Sequence, residues 1–235
     1  MLERRGRTEY TDARRVFPFP NGDDDFRAGV RGRLRLTVPR IAETLVLMPL
    51  LPGFMAAHPQ IELEVVADDG MVDIVADDFD AGIRFGEQLA ADMVALPIGA
   101  PAGFCVVASP AYLRGRSTPR TPDDLLAHVC LRQRFPGGAL YRWEFERDAQ
   151  RRAVSLAAGP VFNGQESVTA AALAGLGIAY VVDALVAEAL ADGRLVQLMP
   201  EWMPPPERFY LYTASRRQMP APLRSFIDFA RARAA

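Results

Sequence analysis

Apolar and polar positions alternate over residues 33–38 (RLRLTV), the two-residue period of a half-buried strand. Pro39 breaks that strand, and over 44–57 the apolar residues recur at helical spacing, with Pro49 and Pro52 expected to leave the early part short or kinked. A strand over 61–66, a helix over 70–76 and a strand over 81–85 follow. This β-α-β-α-β order predicts a mainly parallel sheet with helices on its faces. A second stretch of the same style starts near Gly103, with strands over 104–108, 129–134, 141–147, 152–156, 178–182, 195–198 and 209–212. Its helices are expected to start at Pro110, Thr121, Gly164 and Asp183. The Thr-Pro-Asp-Asp at 121–124 supplies a cap hydroxyl, a first-turn proline and acids against the helix dipole. A final amphipathic helix over 220–234 sets Leu223, Phe226, Ile227 and Ala230 on one face. Residues 1–30 hold no sustained period and read as a poorly ordered extension before a domain starting near Arg31.

The stretch NGQESVTAAALAGLGIAY (163–180) contains a Gly-x-Gly, which a phosphate loop would place between a strand and the helix it opens. Here helix formers come first and a strand-like run follows, so Gly175 and Gly177 read as a helix stop. The other end, Asn163, Gly164, Gln165, Glu166 and Ser167, is either an ordinary capped helix start or the place where this segment holds a ligand. Arg84 ends a strand at the carboxyl edge where open α/β sheets bind ligands, and Arg40 follows the first strand at the same edge. Each guanidinium suits a carboxylate or phosphate, or else forms a surface salt bridge.

Composition narrows the chemistry. At 235 residues the chain can form one large domain or two small ones, half of it is hydrophobic, and its formal net charge is −2. All 27 basic residues are arginine, which excludes phosphate-loop, Schiff-base and kinase-type lysines. A pI near 5.8 argues against nucleic-acid binding by this chain itself, although residues 1–40 are locally basic. No apolar run approaches the length of a membrane span and no signal-peptide core is visible, so a cytoplasmic location is expected. Cys105 and Cys130 sit in apolar, strand-like runs and read as buried reduced thiols. Six aspartates between 68 and 80 lack the spacing of a calcium loop and read as a solvated face, with Asp68 and Asp69 capping the next helix. His58 and His128 read as structural, and neither a zinc-protease nor a serine-hydrolase motif occurs. The alternating YRWEFER at 141–147 reads as a half-buried strand, not a stacking platform for bases. No catalytic residue, metal or cofactor is expected, and the chain is not expected to be an enzyme.

Several stretches in a fixed order resemble the effector-binding domain of LysR-type transcriptional regulators. They are RGRLRLTVP (31–39), MPLLPGFMAAHPQIELE (48–64), VDIVADDFDAGIRFGE (72–87), VVASPAYL (106–113), TPDDLLAHVCL (121–131), AGLGIAYVVDALVAEALADGRLVQLMPEW (174–202) and LYTASRRQMPAPLRSFIDFAR (211–231). The resemblance implies an α/β fold of the periplasmic-binding-protein type 2-like kind. Two Rossmann-like subdomains, 31–102 with 216–235 and 103–215, would hold a small effector in the cleft between them, and the arginines at the sheet edge suit an anionic one. By position, the loop Arg40, Ile41, Ala42, Glu43 and Thr44, the strand end Arg84 and Phe85, and the helix start Asn163, Gln165, Glu166 and Ser167 would line that cleft. The first loop of the family usually has small residues and an aromatic, so RIAET points to a different effector. The resemblance also implies a homodimer paired through 44–66. Family members begin with a winged helix-turn-helix, which residues 1–30 are too few to form; only FRAGV at 26–30 resembles the end of its linker. The expectation is therefore a truncated or isolated sensing domain that does not contact DNA itself, with a free-standing small-solute-binding protein of the same fold as the alternative.

Overall fold

The structure is a computed structural model and describes residues 29–70, 72–86, 93–156, 159–213 and 219–234. The expected extension at 1–30 lies almost wholly outside these residues. The chain divides into two compact units, the first made of residues up to 68, 72–100 and 208 onward, the second of 69–71 and 101–207.

The first unit holds a five-stranded sheet in the order β2 (Ile61–Ala67), β1 (Gly32–Val38), β3 (Ala81–Phe85), β12 (Glu207–Thr213) and β4 (Val94–Ala102). β1 runs parallel to β2 and β3, as the alternation predicted, while β12 pairs antiparallel with β3. The sequence reading placed 209–212 among the strands of the second half; the strand instead returns to the first sheet, a crossover that no local pattern encodes. β4 was missed because Pro97 and Pro101 interrupt it. Its place at the sheet edge tolerates prolines, whose missing N–H groups break no ladder on the open side.

The sheet's apolar face carries Leu34, Leu36, Val38, Ile83, Phe209 and Leu211, all fully buried. The final helix, Ala221–Ala234, packs on β1 and on the first helix, with Leu223, Phe226, Ile227 and Ala230 buried as its periodicity predicted. The first helix runs Arg40–Ala57, longer than expected, with a π-helical stretch at Glu43–Leu47 and Pro52 inside it. At 18 residues and a mean hydropathy of 1.3 it is long and apolar enough to cross a membrane by length and composition, which the sequence reading did not anticipate. Ile41, Ala42, Val46, Leu47 and Phe54 bury its inner side in the unit, with the Phe54 ring 5.1 Å from that of Phe226.

Among the described residues of the expected helix over 70–76, none is helical. Asp73 Oδ1 accepts the N–H groups of Val75 and Ala76 at 3.0 and 3.1 Å, and Asp78 turns the chain at a positive φ of 58°. Arg35 fixes the rest of the acidic segment: its guanidinium donates to Asp77 O at 2.6 Å, meets Glu64 at 3.0 Å and lies 4.4 Å from the Phe79 ring centre. The Asp73 carboxylate thus serves a local turn, and the helix that Asp68 and Asp69 were expected to cap does not form among the described residues.

The second unit has a five-stranded sheet in the order β11 (Val196–Leu198), β5 (Phe104–Ala108), β10 (Ile178–Val182), β6 (Cys130–Gln133) and β9 (Val161–Phe162), with a separate hairpin of β7 (Glu144–Arg147) and β8 (Gln150–Ala153). Of its parallel pairs, β10 runs beside β6 and β6 beside β9. The capping box at Thr121–Asp124 forms as the motif predicts, although the helix it opens, Pro122–Ala127, is 3-10 instead of α. Gly175 ends the helix Gln165–Leu173 at φ 79°, with Leu176 N–H reaching back to Ala171 O at 3.0 Å, which is the stop signal inferred above. His128 sits beside Tyr112, its Nδ1 3.4 Å from the phenol oxygen, and His58 packs 4.9 Å from Phe54; both serve packing.

Cys105 and Cys130 are buried free thiols, and burial pushes each from an ordinary 9.0 up to about 12. Folding therefore favours the neutral thiol, a contribution to stability present below the unfolded value and lost as pH rises toward the folded one. A thiol-specific disulfide reagent at pH 8 is expected to label neither cysteine in the native protein and both in denaturant; rapid labelling of either before unfolding would contradict the burial.

Candidate functional site

In the first unit the candidate residues gather where parallel strands end. β1, β2 and β3 stop at Val38, Ala67 and Phe85, and Asp68 N–H continues the ladder by donating to Val38 O at 2.8 Å. The segment read as a loop, Arg40 to Thr44, is instead the start of the first helix: with Pro39 ahead of it and Glu43 N–H on Pro39 O at 2.9 Å, helix is the conformation that satisfies its backbone. Ile41 and Ala42 turn into the core, Glu43 is half-buried, and Arg40 and Thr44 are exposed, the Thr44 hydroxyl donating to Arg40 O at 3.3 Å.

Arg84 is 3% exposed. Its Nη1 donates to Ile83 O at 2.7 Å and its Nη2 to Asp68 O at 3.4 Å, setting a guanidinium at the carboxyl edge of the sheet. Phe85 stacks on Phe209 at 4.0 Å on the opposite face.

The register places Thr37, Gly82, Arg84 and Tyr212 on one sheet face, since Thr37 stands opposite Gly82, Gly82 opposite Tyr212, and Arg84 two residues along. Gly82 is required there: a Cβ would lie 2.5 Å from the Tyr212 ring. Burial pushes the Tyr212 phenol's ionisation up, against a smaller opposite pull from the Arg84 charge. Thr37 is completely buried, and its Oγ1 has no hydrogen-bond partner among the described residues. Sequence reasoning missed both Thr37 and Tyr212. In RLRLTV, Thr37 falls in the polar set with Arg33 and Arg35, and only the return of β12 to this sheet brings the tyrosine onto the same face.

In the second unit the candidates surround the start of the helix Gln165–Leu173, which follows β9 through Asn163 and Gly164. Gly164 occupies the N-cap in extended conformation without a side-chain cap. Gln165 turns inward: its Nε2 donates to Gln133 Oε1 at 2.7 Å, and its Oε1 accepts Val182 N–H at 3.3 Å. That amide thus ties the helix to the ends of β6 and β10, and Gln133 is a further residue that periodicity alone did not single out. Asn163, Glu166 and Ser167 are exposed on the same turn. The two groups belong to different units, Arg40 to Thr44, Arg84 and Phe85 to the first and Asn163 to Ser167 to the second. Among the described residues, no cluster of histidine, cysteine or carboxylate side chains is arranged to hold a metal.

The family model for the LysR substrate binding domain matches residues 27–235. A Pseudomonas aeruginosa protein assigned to the transcriptional regulators is 39% identical over 197 residues, covering 83% of this chain and 64% of its own length. The uncharacterized HTH-type transcriptional regulator YcaN of Escherichia coli is 34% identical over 206 residues, 88% of this chain and 67% of that one. Among solved structures, the regulatory domain of CrgA, a LysR-type transcriptional regulator from Neisseria meningitidis, is 26% identical with a TM-score of 0.73, covering 88% of this chain and 100% of that one. The chain thus spans about two thirds of the length of these two curated relatives and matches the whole of the isolated regulatory domain.

Replacing Gln165 by Ala strands the Val182 N–H and the Gln133 amide in a buried place. A loss of about 1–3 kcal/mol is expected from denaturant midpoints, while Ser167→Ala, on the exposed side of the same turn, should change stability by less than about 0.5 kcal/mol.

Proposed function

The chain belongs to the LysR substrate-binding domain family, with the periplasmic-binding-protein type 2-like fold, and on that premise we propose that it senses a small-molecule effector for a transcriptional regulator. One observation carries the reading: a LysR-type regulatory domain is matched over its full length. Domains of this kind act by binding, and no turnover is assigned to this one.

The effector-binding residues we propose are Arg40, Glu43, Thr44, Arg84 and Phe85 in the first unit and Asn163, Gln165, Glu166 and Ser167 in the second, with Ile41 and Ala42 supporting the first group from the core. The Arg84 guanidinium at the carboxyl edge of the first sheet supports an anionic effector, because its planar fork of donors suits a carboxylate or phosphate. Binding would work as a population shift: an effector that favours one conformation by the usual coupling of about 1–3 kcal/mol biases the regulator between its states. We assign the reading of DNA to a helix-turn-helix of the kind for which YcaN is named, not to residues 29–234, and propose that the regulator works in the cytoplasm.

A homodimer paired through Thr44 to Val66 belongs to the same proposal. Met48 stands 48% exposed on the first helix, and β2 is outermost in its sheet, leaving a strand edge open to pairing.

Thermal-shift screening against a metabolite panel is expected to find a compound that stabilises the protein saturably, by about 2.7 kcal/mol at a hundredfold excess over its Kd. Asn163→Ala and Ser167→Ala should each weaken that binding at least threefold, the serine change leaving the unliganded melting temperature in place; binding that neither change touches would remove this turn from the site. Sedimentation at micromolar concentration should show a dimer that Met48→Arg dissociates, and an unaltered dimer in the variant would exclude this face.

A further inference from the structure

We propose that Thr37, Tyr212 and Arg84 form a carboxylate-binding corner within the first unit, so that the effector is a small organic acid whose carboxylate accepts from the two hydroxyls and is neutralised by the guanidinium. This deepens the sensing role above and rests on it.

Three observations converge. Thr37 is completely buried and its hydroxyl is unpartnered among the described residues, although a valine would fill the same shape without a polar atom to desolvate. A threonine in that position makes physical sense where a ligand atom completes its hydrogen bond. Next in register comes Gly82, whose missing side chain lets the Tyr212 ring lie across β3, the phenol oxygen only 2.6 Å from where a Cβ would stand. The hydroxyl therefore reaches over Gly82 on the face that Thr37 occupies. Arg84, two residues beyond Gly82 on that face, supplies the charge, its head held by Ile83 O and Asp68 O. Burial keeps the phenol protonated, so it remains a donor at neutral pH.

Two O–H donors and one guanidinium on one sheet face match two acceptor oxygens and one negative charge. A primary amide of the same skeleton brings no charge for Arg84 and offers one acceptor oxygen where the carboxylate offers two, so discrimination between acid and amide should be large.

The test uses the full chain and pairs of compounds that differ only in this group, including butyrate with butyramide and benzoate with benzamide, screened by thermal shift and followed by calorimetric titration. Acids are expected to bind and their amides not. Thr37→Val and Tyr212→Phe should each lower affinity for the acid at least tenfold. Thr37→Val should also raise the melting temperature of the unliganded protein, because an unsatisfied buried hydroxyl is replaced by a methyl of the same shape. A lowered melting temperature in that variant would mean that the hydroxyl already has a structural partner, such as a buried water, and would overturn the proposal. Amides binding as tightly as acids, or affinity unmoved by both changes, would overturn it while leaving the sensing role intact. If no acid binds, the proposal fails; a parallel panel of neutral and cationic metabolites then decides separately whether the sensing role fails with it.

Discussion

Where a parallel strand ends, its last carbonyls and the first N–H groups of the next segment have left the ladder and still need partners. Both units meet this demand with long side chains turned back onto the main chain. Arg84 closes Ile83 O and Asp68 O in the first, and Gln165 takes the Val182 N–H in the second while binding Gln133. The side chains proposed above to meet a ligand at these edges are therefore fastened to the backbone before any ligand arrives. Their rotamers are already fixed, and less side-chain freedom remains to be lost on binding.

The same arrangement explains why arginine, and not lysine, suits these positions. Arg35 donates to Asp77 O, pairs with Glu64 and lies over Phe79, contacts that need a planar fork with several donors. An ammonium group could make one of them well. A chain whose basic residues are all arginine has its cations available as multidentate braces for irregular backbone, which is how the acidic stretch after β2 keeps one conformation without a helix.

Much of the fold was legible because burial imposes periods. The alternation at 33–38, the apolar stripe of the final helix, and the helix-then-strand order around Gly175 were each readable from local spacing and each appear in the structure. The misreadings have local causes of a different kind. Asp73 diverts its own backbone into a turn where helix propensity pointed to a helix, and Pro97 and Pro101 hide a strand that the edge position tolerates. The π-helical stretch draws Arg40 to Thr44 into a helix where a loop was expected. Of the candidate site, Arg84 and the helix start at Gln165 could be found because strand ends and helix starts have signatures. Thr37 and Tyr212 could not, because they share a face only through the pairing of β3 with a strand more than 120 residues further along the chain, and nothing in either neighbourhood announces the other.

The position of β12 between β3 and β4 reaches beyond the site to the order in which the protein can form. A sheet with its fourth strand supplied by residues 207–213 cannot be completed while synthesis has reached only residue 100, although three of its strands and the whole of its first helix are already made. The second unit, by contrast, draws all but three of its residues from one continuous stretch, 101–207. At ordinary synthesis rates of about 5–20 residues per second, the first sheet waits on the order of ten seconds with the edge of β3 unpaired. During that interval the later-made unit can fold first, reversing the usual N-terminal-first order, and the nascent first sheet is the part that a holding chaperone would need to cover.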